Sequence, residues 1–168
     1  MEQVNPELQL LCDFVNTLDV ESGGDELDGW LRARGLWTRR SGLDELEAAR
    51  DVREALRDLM RANNGCEADP DASAAVLDTA ARGAGVTVRF DRDGVRLDAP
   101  AGGIGRVLAA AGQAMADGSW LRLKACRADT CRWAFVDSAR NRSRQWCSME
   151  VCGNREKARA FRERRRRA

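Results

Sequence analysis

The sequence predicts a mainly α fold with one small β-hairpin, followed by a compact cysteine-rich module that ends in a basic helix. Three observations predict it. Through most of residues 1–118, apolar side chains recur at spacings of three and four, the period of a helix with one buried side. One stretch, "VTVRFDRDGVRLDA", instead alternates around a polar turn, as a hairpin does. Four of the six cysteines fall within residues 126–152 as two Cys-x4-Cys pairs, "CRADTC" and "CSMEVC", fifteen residues apart. Gly118 marks the boundary, giving a helical domain at 1–118 and a second domain at 119–168.

In "PELQLLCDFVNTLD", Leu8, Leu11, Cys12, Val15 and Leu18 build one stripe, and Pro6 suits a first-turn position. Asp13 and Asn16 share another face, where they either brace a neighbouring segment or touch a ligand. "ESGGDE" is a turn. "ELDGWLRARGLW" gives a short second helix through Leu27, Trp30, Leu31 and Leu36. Ser41 caps the third, with Asp44 and Glu45 in its first turn. Leu43, Leu46, Val52, Leu56, Leu59 and Met60 form its buried side, and "NNG" at 63–65 stops it. Asp69–Pro70–Asp71 starts a fourth helix that ends at Gly83. "IGRVLAAAGQAMADG" is a fifth, with Ile104, Val107, Leu108 and Met115 facing inward and Gly118 closing it.

Nothing in 1–118 forms a catalytic constellation. Its carboxylates are spread over helix surfaces, Cys12 and Cys66 read as isolated thiols, and "GGIG" at 102–105 lacks the strand–GxGxxG–helix context of a phosphate loop. The chain has no histidine, which excludes Ser-His-Asp and Cys-His nucleophiles, and no tyrosine. No enzymatic activity is expected.

The chain has no apolar run near the ~20 residues of a membrane span, and "MEQVNPELQL" lacks the pattern of a secretory signal. A cytoplasmic location is expected, where thiols stay reduced and clustered cysteines point to a metal before disulfides. The net charge of +1 conceals a division. Residues 121–168 hold 15 Lys+Arg against 5 Asp+Glu, and the remainder holds 13 against 22. An acidic body carrying a basic tail of this kind fits nucleic acid.

Without imidazole, four thiolates are the simplest way to complete a tetrahedral metal site. Cys126, Cys131, Cys147 and Cys152 are the candidate ligands of one zinc ion. A four-thiolate zinc site has no open position, so its role is structural. An iron–sulfur cluster takes the same ligands, and the spacing admits both. Between the pairs, "RWAFVD" reads as a strand with Trp133 and Phe135 on one side, followed by the polar bend "SARNRSRQ". "GNREKARAFRERRRR" reads as a helix. Knuckle, hairpin, knuckle and helix make a treble-clef or zinc-ribbon-like module. On that helix Arg155, Arg159, Arg162 and Arg166 form one basic stripe, which Lys157 adds to and Arg140, Arg142 and Arg144 extend. Phe161 is expected to pack toward Trp133, Phe135 or Trp146, with Trp146 in the module's core. The end "RERRRR" reads as a disordered, phosphate-clinging tail.

"ARNRSRQWCSMEVCGNREKARAFRERRRR" at 139–167 resembles the C-terminal motif of the CGNR-type zinc-finger proteins, its signature being Cys152–Gly153–Asn154–Arg155. It departs from that motif at Ala139 and Gln145. "LCDFVNTLD" at 11–19 is similar to the opening motif of the ABATE domain, which precedes this finger in stress-related bacterial transcription regulators. The resemblance implies zinc at the four cysteines and a DNA-binding role.

These readings converge on a DNA-binding transcription regulator. Its basic helix contacts double-stranded DNA, and its N-terminal domain senses a small-molecule ligand or forms a homodimer. No membrane partner is expected. The alternative is a zinc-stabilised protein- or RNA-binding module without promoter specificity.

Overall fold

The computed structural model describes residues 5–37, 42–92 and 94–167. Five helices precede the cysteine module: α1 (Pro6–Val15), α2 (Leu27–Ala33), α3 (Leu43–Asn63), α4 (Pro70–Gly83) and α5 (Gly105–Ala116). A sixth, α6 (Asn154–Arg167), follows the second cysteine pair. Strands β1 (Thr87–Asp91) and β2 (Gly94–Asp98) form one antiparallel hairpin, and β3 (Leu123–Ala125) and β4 (Ala134–Val136) another. The architecture is mainly α with small hairpins, as the periodicity predicts.

Local chemistry sets the helix starts. Asn5 accepts a hydrogen bond from Glu7 N at 2.9 Å ahead of Pro6, and Asp69 accepts one from Ala72 N at 3.0 Å ahead of Pro70. The α3 helix begins after Gly42; the expected Ser41 cap lies outside the described residues, as does Asp93 of the hairpin turn. Gly118 closes α5 in the left-handed region at φ 77°, where a side chain would be strained.

Two inward assignments are overturned. Leu43 is 82% exposed, because the first turns of the 21-residue α3 project beyond the body. The inner face of α3 consists instead of Ala49, Val52, Leu56 and Met60, together with two buried arginines, Arg53 and Arg57. Met115 is also exposed, because the inner face of α5 is filled by alanines and Gly112. A Cβ at Gly112 would overlap the Leu97 side chain, so this glycine lets β2 lie close on α5.

The apolar core gathers Leu11, Phe14, Leu27, Leu31, Leu56, Met60 and Val107, and it continues past residue 118. Trp120, Leu123, Ala125 and Ala134 belong to the same cluster, with β3 packed on α3 and β4 on α1. The Gly118 boundary therefore marks the end of a helix and not a gap between two cores.

The second hairpin is placed differently from expectation. The backbone of Cys126 donates to Trp133 O at 2.9 Å, so the first cysteine pair forms the turn between β3 and β4. The segment between the pairs is one strand followed by irregular chain. No helix among the described residues is long and apolar enough to cross a membrane.

Candidate metal centre

The second knuckle is a π-helical turn, Met149–Gly153, begun by Ser148, whose Oγ accepts from Val151 N at 3.3 Å. In the first, Cys131 N and Arg132 N both donate to Ala128 O, at 2.9 and 3.1 Å, and Arg132 takes a positive φ of 52° as the chain turns into β4. The two turns bring the four Sγ atoms within 4.8 Å of one another. Cys131 and Cys147 are 3.6 Å apart at sulfur, and Cys147 and Cys152 3.7 Å. A tetrahedral zinc at ~2.3 Å from each thiolate sets sulfurs ~3.8 Å apart, so the donor set fits a single ion. Cys126 and Cys152 are buried with Ala128, and Trp146 packs against them, as expected for a core residue. A Cβ on Gly153 would sit 3.1 Å from Trp146 Cδ1 and would crowd Met149, so the glycine after the last ligand serves close packing.

The thiols are too close to ionise independently. The hydrogen bond from Cys131 pulls Cys126 down to about 5, while the same pair interaction pushes Cys131 up. Burial pushes Cys152 up to about 12. A dication relieves this conflict by taking all four as thiolates, and in exchange releases protons. One structural zinc ion, held by Cys126, Cys131, Cys147 and Cys152, is what this donor set suits.

Around the centre lies a polar frame that the sequence reading missed. Lys124 Nζ donates to Asp137 Oδ2 at 2.8 Å in a buried pair, and also to Arg142 O and to Arg144 O at 3.2 Å. Asp137 accepts in turn from Ala139 N at 2.9 Å and Arg144 N at 3.0 Å. Burial opposes ionisation of Asp137, but Lys124 and these N–H groups outweigh it and hold its carboxyl below the usual range. This network fixes the polar bend at 138–146. Its signal was Lys124 itself, one of two lysines in a chain of 28 cations.

A second frame ties the centre to the helical body. Arg57 donates through Nη2 to Val15 O at 2.7 Å and through Nη1 to Arg132 O at 3.1 Å. Asn63 Nδ2 donates to Trp120 O and Leu123 O, and Asn64 Nδ2 to Ala125 O and Gln145 O, all at 2.8–3.0 Å. The "NNG" that ends α3 therefore also grips the backbone on both sides of the first knuckle. Asn16 bonds the backbone of Ala134, so of the expected Asp13–Asn16 pair one member braces a neighbouring segment.

The eight basic candidates fall on two segments. Arg140, Arg142 and Arg144 lie in the bend, and Arg155, Lys157, Arg159, Arg162 and Arg166 on α6; all are exposed. Arg144 is engaged: it donates to Trp146 O at 2.9 Å and to Cys147 O, and its guanidinium lies 4.6 Å from the centre of the Phe135 ring. Arg155 pairs with Glu21 at 2.9 Å, and Arg159 with Glu156 at 2.7 Å. Among the described residues Lys157, Arg162 and Arg166 have no carboxylate partner. Phe161, expected to pack toward Trp133, Phe135 or Trp146, is 54% exposed, because α6 packs mainly on the π-helical turn. The "RERRRR" end is helical through Arg167 rather than disordered.

Two family models match the chain. The CGNR zinc finger matches residues 122–165, which contain all four cysteines. The ABATE model, described as "Putative stress-induced transcription regulator", matches residues 8–119. No curated protein matches the chain. With about two thirds of its length matched by that model, the chain belongs to the ABATE family and carries a CGNR zinc finger after the ABATE region.

Proposed function

We propose that this protein is a zinc-containing transcription regulator that binds double-stranded DNA through α6, with the bend at 138–146 as a second contact. One observation carries the reading. The α6 helix is exposed along its length, presents Arg155, Arg159, Arg162 and Arg166 on one face, and is rooted directly on the last zinc ligand. A rigid root lowers the entropy lost when such a helix docks against phosphates. Neutralised phosphates release counterions, so affinity falls with salt by roughly 0.9 log units per contact per log unit of salt. With about four to six contacts the slope is roughly −4 to −5. The helical body then senses a ligand or mediates dimerisation.

A salt titration of duplex DNA binding by the full chain tests the reading. A flat response sinks it. Met149, Val151 and Phe161, exposed beside the basic face, favour a second reading: a protein- or RNA-binding module. Tighter binding to single-stranded RNA than to duplex DNA at matched salt selects that alternative.

A further inference from the structure

The hairpin of β1 and β2 has two unequal edges. Leu97 N donates to Gln113 Oε1 of α5 at 3.1 Å, so the body closes the outer edge of β2. Because that N–H points away from β1, Leu97 and Val88 oppose each other without ladder bonds, and so do Phe90 and Val95 two residues along. The N–H and C=O groups of Val88 and Phe90 therefore point out of the hairpin on its other side. Among the described residues, no backbone group outside the hairpin meets them. Strand β1 is exposed at all five residues.

One face of the hairpin is apolar. Val88, Phe90, Val95 and Leu97 share it, since directly opposed residues lie on the same side of a sheet. Leu97 is covered by α5, against Gly112. Toward the turn the same face is bare: Phe90 is 81% exposed, and Val88 and Val95 are about half exposed. A two-stranded ribbon with an open edge and a bare apolar face is marginal alone, and an added strand stabilises it.

The other face selects the strand that fits. It carries Arg89 and Asp91, on either side of Phe90. An antiparallel copy of β1, related by a twofold axis at Phe90, sets Arg89 against Asp91 of the second copy, and Asp91 against its Arg89. The two Phe90 residues then oppose each other, with outward N–H and C=O groups that bond reciprocally. An axis at Arg89 would instead place like charges directly opposite, which is destabilising. A slip by one residue would set apolar side chains against polar ones. Arg89 meets Asp98 of its own hairpin at 3.6 Å, yet its side chain is well exposed and keeps donors for a second carboxylate.

We propose that this protein forms a twofold homodimer by pairing β1 with β1 of a second copy, giving a four-stranded sheet in the order β2-β1-β1-β2. The inference rests on the reading that the helical body mediates dimerisation, and it supplies the surface and the register. Gln113 closes both outer edges, so assembly stops at two copies. One short strand per copy is a small interface, and a dissociation constant of roughly 10 µM is expected.

Sedimentation of the zinc-loaded full chain without DNA, at about 1–300 µM, tests this. A monomer–dimer equilibrium is expected, with no larger species. Phe90→Lys, at an exposed position, should weaken association at least about tenfold. Arg89→Asp and Asp91→Arg should each weaken it about tenfold. A one-to-one mixture of those two variants should associate like the parent, because doubly acidic strands then face doubly basic ones. Circular dichroism confirms that the variants fold. A dimer unaffected by Phe90→Lys, or a mixture no tighter than its components, overturns the hairpin pairing and keeps dimerisation by another surface. A parent that stays monomeric throughout overturns both and leaves the ligand-sensing reading. Growth into species larger than a dimer also overturns the proposal, because the outer edges are then not closed.

Discussion

Asn16 and Ala134 exchange two hydrogen bonds: Asn16 Nδ2 donates to Ala134 O at 2.9 Å, and Ala134 N donates to Asn16 Oδ1 at 2.7 Å. One side chain just past the end of α1 thus completes the open edge of β4, as a neighbouring strand would. Asn16→Ala leaves both backbone groups without partners in a half-buried seam, at a cost of about 2 kcal/mol. Asn16→Asp keeps the acceptor but sets a carboxylate oxygen against Ala134 O, so it should not rescue. Chemical denaturation of the three proteins checks this ranking; an Asp variant as stable as the parent refutes it.

One zinc per chain is expected by elemental analysis, lost in Cys147→Ser plus Cys152→Ser and retained in Cys66→Ser. Because Trp120, Leu123 and Ala134 share a core with α1 and α3, stripping the metal should lower the melting temperature of the whole chain in one transition. Two well-separated transitions, with the helical part unmoved, contradict the shared core.

The Cys12 thiol is pushed up to about 12, first by burial and then by the charge of Asp13. In the native protein at pH 8 it should resist iodoacetamide, while the half-buried Cys66 reacts first. Mass spectrometry of the zinc-loaded protein reads the order of labelling directly.

Asp25 receives Arg53 Nη1 at 2.7 Å and Nη2 at 3.1 Å, and this pairing holds its carboxyl at about 2, below the usual carboxylate range. A depressed carboxylate stabilises the fold in full above the unfolded value, and that contribution is lost as pH falls through the folded one. Asp25→Asn should therefore cost about 2 kcal/mol at pH 7, with the same penalty at pH 5. A penalty that shrinks between those two pH values argues against the Arg53 pairing as its source.

Replacing Arg155, Arg159 and Arg162 with alanine should flatten the salt slope of DNA binding by about three times 0.9 while zinc content stays unchanged. Glu21→Gln should act oppositely, because it releases Arg155 from a partly exposed pair. A steeper slope in Glu21→Gln, absent when Arg155 is also alanine, assigns the effect to that pair.

The parts of this fold that were legible in sequence are those decided locally. Pro6, Asp69 and Pro70 announce their helices, and the paired cysteines announce their centre at fixed spacing. The parts that were not legible are decided by contacts between distant segments. Nothing local marks Arg53 and Arg57 as buried; Asp25 and the carbonyls of Val15 and Arg132, which meet them, come from distant segments. Leu43 reads as buried because the 3.6-residue period continues past the point where there is anything to pack on. Phe161 reads as an anchor for the same reason. A periodic pattern names a face but not the length over which that face is covered.

The pairing of Asn16 with a residue 118 positions downstream also orders events during synthesis. While the ribosome is still making the cysteine knuckles, the end of α1 lacks β4 and the core lacks Leu123, Ala125 and Ala134. Contacts this far apart in sequence form late and slowly. The nascent chain thus carries exposed apolar surface until residues 123–134 emerge, and holdase chaperones recognise surface of that kind. Metal capture needs Cys152 and so follows synthesis of the helical body; a cell short of zinc would accumulate chains whose body is made but whose knuckles stay open.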